Sequence, residues 1–180
     1  GYVVLRAVPD GERRNLDGYK RMAEEFNGIG TRAAAVGLRF AYHNHGYGLV
    51  PMEGRVPFEM LVEATDPALV DLQMDLYWAT AGGAGPVTYL KRFPGRYVSM
   101  HVKDMAKRVR FAGDGGDAAQ WIDLFPYIAD AGAGVLDLAG ILAEARRAGL
   151  RHFFLERDQT PTPDETLRVS YRYLSGLRLG

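Results

Sequence analysis

Residues 38–47 read Leu38-Arg39-Phe40-Ala41-Tyr42-His43-Asn44-His45-Gly46-Tyr47, an apolar and aromatic run that turns polar at its end. Leu38 to His43 has the composition of a buried strand, and the side-chain period of two puts His43 and His45 on one side. Two imidazoles at the tail of such a strand are a poor choice for packing. The same pattern recurs outward in both directions. Leu69 to Leu76 is a strand with Asp71, Gln73 and Asp75 in phase, running into Tyr77-Trp78. Arg96 to Val102 carries His101 and Lys103 in phase at its end, followed by Asp104, and Arg151 to Glu156 carries Glu156 and Asp158. Tyr2 to Ala7 is a fifth strand, stopped by Pro9-Asp10-Gly11.

Helical segments lie between these strands. Tyr19, Met22, Ala23, Phe26, Ile29 and Ala33 recur every three or four residues, one apolar helical face that stops before Gly37. Val56 to Ala64 predicts a short helix with Phe58, Leu61 and Val62 inward, and Gly85-Pro86 opens another carrying Val87, Leu90 and Phe93. Residues 106–136 hold the turn Gly113-Asp114-Gly115-Gly116 and a predicted helix from Ala118 to Ala129. Leu138, Ile141, Leu142 and Ala145 form a helix face closed by Gly149. The last helix is predicted to start on a capping box, with Thr162 as cap, Pro163 first and Glu165 three residues on, and to bury Leu167, Tyr171 and Leu174. Strand followed by helix, five times over, predicts an α/β fold with a parallel sheet. A doubly wound sheet and a barrel share this periodicity.

Parallel sheets gather their reactive groups at the C-terminal ends of their strands. Carboxylates and imidazoles meeting there are the usual oxygen and nitrogen ligands of a divalent cation. Buried without partners they would be costly, so they need a metal, one another or a polar substrate. Each has a plainer reading: the His43–His45 pair bracing a loop, Asp75 capping the next segment, Glu156 pairing with an arginine, Lys103 in a salt bridge to Asp75 or Asp104. His152, early in its strand, is read as structural. Trp78 suits the face of a sugar ring or the core equally well. Lys103, Lys107, Arg108 and Arg110 form a small positive stretch read as a solvated loop.

Composition narrows the function classes. Lys plus Arg and Asp plus Glu are both 22 in 180 residues, so no net charge draws the chain to a nucleic-acid backbone. There is no cysteine, which removes disulfides, thiolate ligands and cysteine nucleophiles together. No apolar run approaches the roughly 20 residues of a membrane span, and no signal peptide is visible. The expected location is cytoplasmic, with export left open because the chain starts at Gly1 inside an apolar run and upstream sequence is expected. No dinucleotide fingerprint, phosphate loop, Gly-x-Ser-x-Gly elbow or His-Glu-x-x-His motif is present.

Taken as ordered blocks, Phe40 to Tyr47, Thr65 to Trp78, His101-Val102-Lys103-Asp104-Met105, and Gly132 to Asp137 followed by His152 to Asp158 resemble the sugar phosphate isomerase/epimerase family. This is the xylose-isomerase-like TIM-barrel family, in its branch with a Tyr-His-Asn-His signature, and the resemblance runs from about residue 2 to residue 174. It implies a (β/α) barrel with a divalent metal (Mn, Co, Zn or Mg) at its C-terminal mouth, held by Asp75, His101 and Glu156. The fourth ligand, usually Glu in relatives, falls on His43. Glu156, His43, His45 and Lys103 are then the catalytic candidates, and Asn44, Tyr77, Trp78 and Asp158 the substrate contacts. Where relatives carry Glu-Phe after the signature, this chain has Gly48-Leu49, and residues 107–131 form a longer connection than usual.

The blocks match about the last five of eight strand–helix units, which predicts a partial barrel with exposed sheet edges that a second copy or a partner chain would cover. The expected function is isomerisation or epimerisation of a small sugar, sugar phosphate or keto-sugar by proton abstraction next to a carbonyl. With histidine in place of one glutamate, one-sided abstraction leading to elimination, or hydrolysis of an oxidised sugar, stays open, as does an inactive fragment. A metal-dependent endonuclease is disfavoured by the neutral charge and by only four histidines.

Overall fold

The computed structural model describes residues 1–179. Among them, five strands form one parallel sheet in the order β1 (Tyr2–Leu5), β2 (Arg39–His43), β3 (Val70–Asp75), β4 (Tyr97–Val102) and β7 (His152–Leu155). All four pairings are parallel, and the register sets Asp75 beside His101. The five strands are those expected from the sequence, and their C-terminal ends share one rim. The sheet is curled like part of a barrel. Tyr2 of β1 and His152 of β7 stand on opposite edges of it, yet their rings meet with centroids 5.8 Å apart.

The helices α1 (Leu16–Ala35), α2 (Pro57–Ala64), α4 (Pro86–Arg92) and α6 (Leu138–Arg147) follow strands or precede them, and the short α3 (Leu76–Ala81) continues directly from β3. Asn15 caps α1 by accepting from Gly18 N at 2.9 Å, and α1 ends where Gly37, at φ 74°, turns the chain into β2. Its face buries Tyr19, Met22, Ala23, Phe26 and Ala33. The Phe26 ring packs on Phe40 and Tyr42, the alternate side chains of β2 that point away from His43. The same alternation sends Leu72 and Met74 of β3 and Met100 and Val102 of β4 into the core, all at most 1% exposed. Asp75, His101 and the residues in phase with them are thereby left to the concave side.

Between β4 and α6 the chain leaves the barrel pattern. β5 (Asp104–Met105) and β6 (Ile128–Ala129) pair antiparallel, and residues 106–127 loop out between them. The helix expected from Ala118 to Ala129 stops early: α5 covers Ala118–Leu124 and a 3-10 turn covers Phe125–Tyr127. Pro126 cannot donate the next helical hydrogen bond, which accounts for the break. The buried Asp104 carboxylate is the anchor of this region. It accepts from the backbone N–H groups of Met105, Gly132, Gly134 and Leu136 at 2.8, 3.0, 3.0 and 3.2 Å. A Cβ on Gly134 would sit 2.2 Å from Asp104 Oδ1, so no larger residue lets the backbone approach this closely.

Helix α7 (Pro163–Gly176) departs from expectation at both its start and its face. Thr162 occupies the cap position with ψ 67° and makes no side-chain cap bond, while Glu165 pairs with Arg168 instead. Its buried side chains are Thr166 and Ser170; Leu167 is 55% and Tyr171 72% exposed, and Leu174 is half-buried. Polar bonds set this rotation: Ser170 Oγ accepts from Ala131 N at 3.0 Å, and Thr166 Oγ bonds Thr160 Oγ at 2.9 Å. No helix among the described residues is long and apolar enough to cross a membrane.

Candidate metal centre

A cavity of about 490 Å³ opens at the C-terminal rim of the sheet. His43, His45, His101, Lys103, Glu156 and Asp158 line it, together with Trp78 and Gln73. The first six arrive in pairs at the ends of β2, β4 and β7 or just beyond them, with Gln73 on β3 and Trp78 in the helix that follows it. His43, Asp75 and His101 place one ligand atom each within 4.8 Å of one another. His43 Nε2 lies 3.8 Å and His101 Nδ1 4.0 Å from Asp75 Oδ2. The Glu156 carboxylate is in direct contact with His101 Nδ1.

Asp75 is fully buried. Its Oδ1 caps α3 by accepting from Trp78 N at 2.9 Å, so the plain capping role and the cluster role are held by different oxygens. Oδ2 accepts no hydrogen bond; Lys103 Nζ approaches it to 3.0 Å, at ion-pair distance but outside hydrogen-bonding angle. Lys103, 2% exposed, also contacts Glu156 at 3.1 Å and Asp158 at 2.8 Å. The expected solvated stretch therefore begins only after it, with Lys107, Arg108 and Arg110 exposed.

Electrostatics follow from this crowding. Burial works to lower the Lys103 pKa and is outweighed by the charges of Asp75, Glu156 and Asp158, which hold it above the ordinary value. Burial works to raise Glu156 and is outweighed by the hydrogen bond to His101 and the charge of Lys103, bringing it down to about 2. His43 and His45 go the other way. Burial, with the neighbouring imidazole charge second, lowers each to about 4, so both are neutral at pH 7. A buried acceptor without a donor on Asp75, beside the neutral His43 imidazole, His101 and the ionised Glu156 carboxylate, is a donor set that fits a divalent cation of the Zn, Mn or Co type.

The remaining candidates separate. His45 reaches the cavity, its Nδ1 buried without a hydrogen-bond partner. Trp78 is a core residue, 3% exposed, that also lines the cavity, with Lys103 Nζ 5.6 Å from its ring centre. Tyr77 lies away from the cavity as a substrate contact: it is fully buried, and its hydroxyl donates to the Leu124 carbonyl. Asn44 likewise braces the site from behind, its Oδ1 accepting from Asp75 N at 3.1 Å. Asp71 is committed elsewhere, bound by the Arg39 guanidinium at 2.5 and 2.7 Å. The reading of the sequence missed Trp121 and Phe125, which come from the long 106–127 connection to wall the cavity. Periodicity does not place loop residues; the one available signal was a tryptophan beside a glycine-rich turn.

No family model matches the chain. Over 92 residues, 51% of the chain, it is 32% identical to the inosose dehydratase of Bacillus anthracis (strain CDC 684 / NRRL 3495), and the match covers 30% of that relative. A sugar phosphate isomerase/epimerase from Parabacteroides distasonis superposes with TM-score 0.76 at 23% identity, over 99% of this chain and 60% of that one. An IOLI protein solved with a bound zinc atom superposes with TM-score 0.72 at 14% identity, over 98% of this chain and 62% of that one. The chain thus spans about three-fifths of these solved structures, and its match covers less than a third of the curated relative. The fold is that of the sugar phosphate isomerase/epimerase and xylose-isomerase-like TIM barrels, present here as a curled part of the barrel.

Proposed function

We infer that this chain, with its partial xylose-isomerase-like barrel, carries the reactive end of a metal-dependent enzyme that takes a proton from the carbon beside the carbonyl of a keto-sugar, as in sugar isomerisation or epimerisation. The observation that carries this reading is the convergence of His43, Asp75 and His101 within 4.8 Å at the strand ends, with Glu156 against His101. These four residues would hold the cation, which supplies Lewis-acid polarisation of the substrate oxygens.

The chain's own groups account for the rest. Glu156 is held ionised and lines the cavity, so it is the group placed to accept a carbon-bound proton. Lys103 stands where its charge can steady the negative charge that develops on a substrate oxygen. His45, neutral and with a free ring nitrogen, would take up a proton and hand it back to the substrate. Trp78, Trp121 and Phe125 offer apolar surface to a sugar ring and displace water from it.

A second reading is dehydration of a keto-sugar or keto-cyclitol. In it Glu156 takes the same proton, and the hydroxyl on the next carbon departs as water after that proton is relayed to it through His45. The similarity to inosose dehydratase favours it, and so does histidine rather than a second carboxylate at position 43. Incubating the protein with a keto-sugar in deuterated water, followed by mass spectrometry, separates the readings. Deuterium gained without loss of mass supports isomerisation or epimerisation; loss of one water supports dehydration. Turnover at a glycosidic or phosphate bond with no carbon-bound deuterium would reject both in favour of hydrolysis.

A further inference from the structure

Gln73 joins three neighbouring strands beneath the metal ligands. Its amide oxygen lies 2.9 Å from His43 Nδ1, and its amide nitrogen donates to Ser99 Oγ at 2.9 Å. His43, Gln73 and Ser99 are 4%, 6% and 5% exposed, so this row is built into the interior of β2, β3 and β4. We propose that Gln73, oriented by Ser99, is a positioning residue that holds His43 as its Nδ1-protonated tautomer and turns the Nε2 lone pair toward a divalent cation shared with Asp75 and His101. This rests on the reading of these three residues as metal ligands.

The argument is one of donors and acceptors. An amide oxygen only accepts, so the nitrogen facing it carries the ring proton. A neutral imidazole has one N–H, which leaves Nε2 unprotonated on the side of the cluster. Reversing the amide would force the ring proton onto Nε2, where the Asp75 Oδ2 acceptor is 3.8 Å away and beyond hydrogen-bonding reach. A carboxylate ligand offers two equivalent oxygens and needs no such setting. An imidazole binds through only one nitrogen, and its other nitrogen decides which.

Two-bond proton–nitrogen NMR of the histidine-labelled full chain, first with chelator and then titrated with zinc ion, tests this directly. The expected result without metal is a protonated Nδ1 and an unprotonated Nε2 for His43. Gln73→Leu is expected to mix the tautomers and weaken zinc binding about 10–100-fold by calorimetry. Gln73→Glu, which keeps an acceptor in place, is expected to preserve both. A proton on Nε2 in the parent, or parent-like zinc affinity in Gln73→Leu, would overturn the proposal. Should Gln73→Leu fail to fold, the parent spectrum and Gln73→Glu decide it: loss of the tautomer in Gln73→Glu counts against. A parent that binds no zinc rejects the metal reading itself, whereas a parent that binds zinc through the other tautomer rejects only the role of Gln73.

Discussion

Trp121 lies flat against His45, ring centroids 4.9 Å apart and planes 18° from parallel. The indole nitrogen donates to the Gly115 carbonyl at 2.7 Å, so the stack is fixed from the loop side. Trp121→Ala is expected to uncover the imidazole. Diethyl pyrocarbonate should then modify His45 several times faster than in the parent, with peptide mapping as the readout. An unchanged rate would show that the indole is no cover.

Asp104 satisfies four backbone donors with one buried carboxylate. Replacing it by Asn turns one acceptor into a donor that faces N–H groups. Asp104→Asn is expected to lower stability by about 2–4 kcal/mol, read as a shift of the denaturant midpoint. A change below about 0.5 kcal/mol, ordinary for a surface site, would contradict the anchoring role.

Lys103 is the cation among Asp75, Glu156 and Asp158. Lys103→Met leaves three carboxylates with less positive charge among them. The metal-free variant should melt below the parent, breaking a buried pair costing about 3–5 kcal/mol. Added zinc or manganese should recover more of that loss than it adds to the parent, because the cation now meets uncompensated charge. Equal metal-induced shifts in both proteins would argue against a shared charge cluster.

Metal binding itself is expected to stabilise the fold. A cation at about 100 times its dissociation constant adds about 2.7 kcal/mol, a shift of several degrees in the melting temperature. Asp75→Ala should abolish that shift, and His43→Ala and His101→Ala should reduce it. A full shift in Asp75→Ala would place the metal elsewhere.

The sequence made the strands and the reactive groups on them legible for one reason. In a parallel sheet covered by helices, a strand has a packing face and a site face, and the alternation between them is printed residue by residue. Phe40 and Tyr42 against Ala41 and His43, or Leu72 and Met74 against Gln73 and Asp75, are examples. The resemblance to xylose-isomerase-like barrels stands at the level of fold. What failed was whatever depends on a partner far along the chain. The face of α7 is chosen by Ser170 meeting Ala131 N, which helical periodicity does not encode. Tyr77 follows Asp75 by two residues but lies in the first turn of α3, so the strand alternation no longer tells where it points. Trp121 stayed hidden because a loop has no period to read.

That last residue has a wider meaning. The prospective ligands His43, Asp75, His101 and Glu156 sit on or immediately after β-strands, while Trp121 and Phe125 belong to an excursion held both by main-chain hydrogen bonds, such as Phe111 N to the Ala81 carbonyl and the Leu124 carbonyl to Tyr77, and by the packing of the Phe111, Trp121 and Phe125 rings on Trp78. Changes within residues 106–127 that keep the packing on Trp78 would reshape the wall of the cavity and leave the strand-borne groups in place. The cavity wall and the strand-end groups lie on separate pieces of the polypeptide, so a graft of this excursion from another barrel would have to bring rings that fit Trp78.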